Sequence, residues 1–378
     1  MLTLADVYDI AVIGAGVFGS WIAYRFAQSG QRVALLDGYG AANPRSTSGC
    51  RSRIIRMAYG DHEVYTRFSC QSLPMWKQLG EDLFIRTGVL WLSRADNERF
   101  QASRATLRRL GIPFEDYDAR EIGKRYPQMS APPDAVAILE PESGALMARE
   151  CVLAVVDRAQ RLAVDLLPDA VRRVSADALT TASGRRVQAG TFVFACGPWL
   201  PCLFPELLAG VIRPTRQELF FFGPPPSIML RPPCLPIWID DTDPRIPYGF
   251  PDLGGDGLKV AFHREGPAFN PDHGDRVVIA AQVEEARQYV AGRFPMMEGA
   301  PLVDSRVCQY ENTPSGDFII DRHPEFHRFW LVGGGSGHGF KHGPAVAEYV
   351  FGRIEEGSPE EPRFALRAHV GSHERSVF

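Results

Sequence analysis

Residues 8–37 read YDIAVIGAGVFGSWIAYRFAQSGQRVALLD, and the order of apolar run, glycine cluster, helical run and second apolar run sets how the rest of the chain is organised. Ile10 to Ile13 suits a strand buried on both faces, and Gly14, Gly16 and Gly19 follow it in G-x-G-x-x-G spacing. Gly14 permits a sharp turn, Gly16 lets a pyrophosphate approach the backbone, and Gly19 lets the next helix pack close to the sheet. That helix, from about Val17 to Ser29, aims its free N–H groups and positive dipole end at the phosphates. Asp37 ends the second strand, VALLD, where a carboxylate can accept hydrogen bonds from a ribose 2′-hydroxyl and argues against a 2′-phosphate. An empty glycine-rich turn would not need all these parts in register. The stretch therefore predicts a dinucleotide site, without separating NAD from FAD, since both present an ADP half.

Working outward, 378 residues can bury a large core and predict two domains or an interleaved pair. Forty-one Lys plus Arg against 45 Asp plus Glu leave a charge of −4, so there is no global basic field for nucleic acid, and small-molecule chemistry is expected. The longest uncharged apolar stretch near the start, Ile10 to Tyr24, belongs to the nucleotide unit, so no membrane span is read. MLTLADVYD lacks a basic segment and a cleavage site, which predicts a cytoplasmic protein. Seven scattered cysteines without C-x-x-C predict reduced thiols and no metal site.

After Asp37 comes a polar loop, GYGAANPRSTSGCRS, then RIIRMAYG. On a helix, Arg53 and Arg56 would share a face, either a solvated one or an anion site whose forks match a carboxylate. GVLWLS at 88–93 reads as a strand, Asn97 to Leu110 as a charged helix, Arg149 to Ala163 as another, and Thr191 to Ala195 as a buried strand ending at the Gly197 turn. Such a strand end is where ligands sit in an open α/β sheet. Residues 213–297 read as a mainly antiparallel sheet with long loops. FWLVGG, then GGGSGHGFK and a helix from Gly343 to Ile354 repeat the strand, glycine turn, helix pattern and predict a second helix start against the cofactor. The charged tail after about Gly357 is expected to be loosely held.

Together GAGVFG (14–19), RIIRMAYG (53–60), TGVLWL (87–92), EPESG (140–144), YGFPDLGGDGLKVAFH (248–263), VCQYENTPSGDFIID (307–321) and GGSGHGFK (334–341) resemble the monomeric sarcosine oxidase group of FAD-dependent amine oxidases, within the D-amino acid oxidase-like superfamily. The likeness spans nearly the whole chain. It implies an α/β fold with a segmented Rossmann-type FAD domain, from 1–80, 141–212 and 298–378. A second α+β substrate domain, from 81–140 and 213–297, would hold a mixed, largely antiparallel sheet.

The resemblance also implies roles. Cys308, which alone reads as a buried structural cysteine, corresponds to the cysteine that forms a thioether to the flavin 8α-methyl. Lys259, otherwise a surface lysine on a hairpin, corresponds to a lysine that helps oxygen become peroxide, since a cation eases formation of anionic superoxide. LKVAFH puts Lys259 and His263 on one side of a strand. Arg56 and Lys341 correspond to the pair holding the substrate carboxylate. Tyr248 and His263 would line the substrate pocket, Arg53 would lie by the flavin, and as pKa-shifted partners they would favour the neutral amine. Val17, Phe18, Ser48, Gly197, Gly337, Gly339, Phe340 and Lys341 would border the cofactor, with Gly14, Gly16, Gly19 and Asp37. His338 reads as structural, and His323 and His342 have no role. One departure stands out: many relatives carry a His where this chain has Gly49, and Cys50 and Arg51 follow, removing an imidazole and adding a possible cation.

The implied reaction is oxidation of a secondary-amine amino acid, N-methyl or cyclic, with hydride transfer to flavin N5 and reoxidation by O2 to hydrogen peroxide. Three alternatives stay open: a flavin dehydrogenase or imine-forming biosynthetic enzyme that does not use oxygen, an NAD-linked dehydrogenase, and a flavin-binding protein without turnover. A monomer or small homo-oligomer is expected.

Overall fold

The structure is a computed structural model that describes residues 6–227, 229–370, 375 and 377. Its first sheet is built on the strand Asp6–Ile13. This strand pairs in parallel with Val33–Leu36 on one side and Arg186–Phe194 on the other. Asp165–Leu167 extends the sheet beyond Val33–Leu36, and Phe329–Gly333 runs parallel to the end of Arg186–Phe194. Val12, Leu35, Val193 and Leu331 are fully buried, as a parallel sheet covered on both faces requires. Helix Val17–Gln28 covers one face and packs against helices Ala148–Arg161 and Gly343–Phe351. In register, Ile13 lies beside Leu36 and Phe194, and Phe194 beside Leu331. The carboxyl ends of these strands therefore finish along one edge. There the chain turns at Gly14, Ala195 and Gly334, and that edge positions the site.

A second sheet runs in the order Leu302–Asn312, Arg213–Phe222, Leu258–Phe262, Pro247–Phe250, Ile237–Asp240, Val89–Arg94, Ala135–Glu140, Glu115–Asp118. Only Ile237–Asp240 with Val89–Arg94 is parallel, so the expected mixed, largely antiparallel sheet is present. Ser52–Ile55, Gly144–Met147 and Phe84–Ile85 form a small third sheet.

Several sequence expectations change in detail. Arg53 lies on a strand, with Arg56 just past its end, because Ile54 and Ile55 extend into the third sheet. Strand Leu302–Asn312, inside the segment assigned from residue 298 to the nucleotide part, pairs with Arg213–Phe222; the chain rejoins the first sheet at Ile319–Arg322. The 213–297 region also holds a helix, Ala280–Arg293, whose Arg293 pairs with the fully buried Asp240. The tail is packed as far as His369: Phe364 and Ala365 are fully buried, and His369 Nε2 lies 3.1 Å from Phe318 O. Past residue 370 the tail lies outside the described residues, apart from 375 and 377. Among the described residues no helix is long and apolar enough to cross a membrane.

Candidate active site

Two adjoining cavities open at the carboxyl edge of the first sheet. The first is bordered by Gly16, Val17, Phe18, Thr47, Ser48, Arg53, Gly197, Glu311, Gly335, Gly337, Gly339 and Phe340 among others. Five of its lining residues are glycines: Gly16, Gly197, Gly335, Gly337 and Gly339. Gly14, at φ +105°, has room for no side chain, since a Cβ there would lie 2.4 Å from Ala195 O; on Gly19 it would lie 1.8 Å from Gly14 O. These two glycines serve the packing of turn, strand and helix. Gly16 differs: a Cβ there would meet nothing nearer than Ser48 Oγ at 3.5 Å, so the space beside it is not filled by protein. A dinucleotide fits this cradle, with Gly16 the point of close approach.

Asp37 accepts from Ala15 N at 2.8 Å and Tyr39 N at 2.9 Å, and burial raises its pKa against those bonds. Val17 N donates to Ser48 Oγ at 3.0 Å, so one helix-start amide expected to face phosphate is already engaged. Ser48 is left to offer its own hydroxyl proton to the cavity. The second helix start differs from expectation too. Gly343 packs against Val17 and Trp21, and the turn before it, through Gly337, Gly339 and Phe340, borders the cavity.

The second cavity shares Arg53, Tyr310, Gly337 and Phe340 with the first. Arg53, Arg56, Tyr248, Lys259, His263, Cys308 and Lys341 all line it, with Ile54, Leu219, Ile239 and Phe250 as apolar wall. No Asp or Glu lines it among the described residues. Lys259 donates to Ser52 O at 3.0 Å and Ser52 Oγ at 3.1 Å and sits over the Phe250 ring; burial, then Arg53, brings its ammonium down to about 7. Lys341 donates to Tyr59 Oη at 2.7 Å and His338 O at 3.2 Å. Burial lowers the pKa of both Lys341 and Arg56. His263 is held well below its usual range by burial and nearby arginines, which keeps its imidazole neutral. Tyr248 is raised by burial and lies 3.3 Å from Tyr310 Oη, which keeps the phenol protonated.

Position in this cavity is fixed by residues the sequence reading did not single out. Glu140, 3 % exposed, accepts from Met57 N, Ala58 N and Ser143 Oγ, which ties down the backbone just after Arg56. Tyr59 accepts from Lys341 and lies 2.9 Å from His342 Nε2, so the histidine without a role belongs to the Lys341 support. Glu140 and Tyr59 stand inside the quoted motifs, but their partners come from distant segments. His338 Nε2 lies 3.0 Å from Gly316 O and its ring stacks on Phe318, consistent with a structural part.

The unusual loop is also resolved. Gly49 could not carry a side chain here, since a Cβ would lie 2.0 Å from Asn43 O. Arg51 is paired with Asp256 and does not line the cavity, so it adds no cation there. Cys50 is buried in a small cluster with Cys308, Leu219, Phe221 and Ala261. The contact between the two thiols lowers Cys50 and raises Cys308, and Arg53 and Lys259 favour negative charge on Cys50. Arg53 Nη2 lies 3.6 Å from Cys308 Sγ and also donates to Thr47 O at 2.5 Å.

Comparison with known proteins agrees with this geometry. Residues 9–353 match the family described as FAD dependent oxidoreductase. Monomeric sarcosine oxidase of Streptomyces avermitilis is 30% identical, over 95% of this chain and 96% of that protein. That of Bacillus sp. (strain NS-129) is 29% identical, over 90% and 91%. Among solved structures, L-proline dehydrogenase from P. horikoshii superposes with a TM-score of 0.86 at 22% identity, over 98% of this chain and all of that one, and shows the shared fold. With a glycine cradle at the strand edge, a cation-lined cavity beside it and a family match over most of its length, the chain belongs to the FAD-dependent oxidoreductases, in the group of the monomeric sarcosine oxidases.

Proposed function

We propose that the protein oxidises the C–N bond of a secondary-amine amino acid, N-methyl or cyclic, and passes the electrons to O2. The observation that carries this reading is the second cavity: four basic side chains and no acid, walled by apolar groups and opening onto the dinucleotide cradle. Such a cavity holds a carboxylate and disfavours an ammonium ion. An amino acid bound by its carboxylate thus loses its amine proton more readily, and the neutral amine is the form that can be oxidised. Arg56 supplies a planar fork and Lys341 a point charge for the carboxylate, and Glu140 and Tyr59 hold the two in place. Neutral His263 and protonated Tyr248 can accept from and donate to the amine side without adding charge.

Bound FAD supplies the redox chemistry, accepting a hydride equivalent and delivering electrons to oxygen. Lys259 is the cation that favours developing negative charge on oxygen, and Cys308 is the proposed point of covalent attachment of the flavin. We divide the chain along the two sheets into an FAD domain and a substrate domain, with the substrate between them, which moves strand Leu302–Asn312 to the substrate side.

Peroxide release measured with sarcosine, N-methyltryptophan, proline and pipecolate tests this reading. At least one should give peroxide in proportion to substrate consumed, with Arg56→Ala raising KM. Substrate consumption without peroxide would replace the oxidase by a dehydrogenase.

A further inference from the structure

Within the first cavity one carboxyl has no part in anything described so far. Glu311, 6 % exposed, projects from the strand Leu302–Asn312. Its Oε1 accepts from Gly335 N at 3.1 Å, while Oε2 is buried with no hydrogen-bond partner. Two glycines clear the room it occupies. A Cβ on Gly197 would stand 2.8 Å from Oε2, and one on Gly335 would stand 3.0 Å from Oε1. The carboxyl is therefore seated between two strand ends and faces the same space as Gly16 and Val17.

The ionisable groups around this space are the Arg53 guanidinium, held by Thr47 O, Ser52 O and the Cys308 sulfur, the Tyr310 phenol and the Cys196 thiol, with Asp37 behind Cys196. None is an ion-pair partner of Glu311 among the described residues. A buried carboxyl without a cation keeps its proton, and burial against the single Gly335 bond raises this one to about 7. A protonated carboxyl has one O–H to give. The phosphate and ribityl oxygens of FAD are acceptors, and a phosphate would repel a carboxylate but bind an acid.

We propose that Glu311 is a cofactor ligand that works as a neutral acid, its Oε2–H donating to an oxygen of the phosphate–ribityl chain of FAD. By linkage, the cofactor then binds best while Glu311 is protonated, and loses affinity as pH rises through its pKa in the free protein.

The test is FAD affinity from pH 6 to 9, by flavin fluorescence quenching, on apoprotein carrying Cys308→Ala so that the flavin exchanges freely. In this background Kd should be flat at the acid end and rise by up to about tenfold per pH unit above neutrality. Adding Glu311→Gln, which keeps a donor but cannot ionise, should flatten the rise while binding stays within a few-fold at pH 6. Glu311→Ala should bind about tenfold more weakly at pH 6, the loss expected for one hydrogen bond to a charged or polar oxygen. The proposal is overturned if Glu311→Gln keeps the parent slope, or if Glu311→Ala binds as tightly as the parent at pH 6. Circular dichroism of the apoproteins checks folding, and if Glu311→Ala misfolds the Gln comparison decides.

Discussion

The two adjoining cavities are built in opposite ways. The cofactor cradle depends on close backbone approach: three strand ends finish together, and glycines let turn, helix and strand approach to distances no side chain would allow. The substrate cavity is mostly side chain, and its working groups come from residues 53–56, 248–263, 308–310 and 337–341. A backbone site is specified locally and tolerates little. A side-chain site is assembled over long range and can be retuned one residue at a time.

The sharpest way to break that contrast is to place a side chain where the backbone needs none. Gly19→Val would drive its Cβ into Gly14 O, and is expected to abolish FAD binding altogether, read as loss of flavin absorbance in the purified protein. A variant that still binds FAD normally would mean the cradle is not built as described. In the other cavity, Arg56→Ala is expected to cost about 2–3 kcal/mol of transition-state binding, roughly 30- to 150-fold in kcat/KM for an amino-acid substrate. The same variant should act on the matching amine without a carboxylate as the wild type does.

Lys259, in the substrate cavity, gives a pH signature. Its folded pKa of about 7 lies below the unfolded value of 10.5, so between these the native state binds fewer protons than the unfolded one and stability rises with pH. Lys259→Met should therefore stabilise the apoprotein against urea most below about pH 7, with the gain falling as pH rises and vanishing above the unfolded value, while the variant's reoxidation by O2 slows. The mildest probe is Tyr59→Phe, which takes one hydrogen-bond partner from Lys341. Its expected effect is about 2- to 10-fold on KM with little change in kcat.

Much of the cradle was legible in the sequence because its signals are short-range. Strand, glycines, helix and Asp37 fall within one stretch, and the charged helix read over Asn97 to Leu110 was equally local; it runs from Glu98 to Arg109, with the Asn97 side chain accepting from Phe100 N. The helix Ala280–Arg293 escaped because only Ala286, Tyr289 and Val290 on it are buried, too thin a stripe to show a helical period beside so many prolines and glycines. In the charged cavity, the named residues were legible through resemblance and not through spacing. Tyr59 shows why: its partners Lys341 and His342 stand more than 280 positions further along, and nothing near RIIRMAYG announces them. Glu311 was hidden for the same reason, since a glutamate in YENTPSGD looks solvated until two distant glycines are seen to seat it.

The most direct test of the central claim is anaerobic mixing of the purified protein with an N-methyl or cyclic amino acid, beside the same amine lacking its carboxylate, while the flavin absorbance is followed. The expected result is bleaching by the amino acid at a rate at least tenfold that of the decarboxylated amine, a preference that Arg56→Ala abolishes. No bleaching by any such amino acid, or equal bleaching by both partners of each pair, would contradict the account.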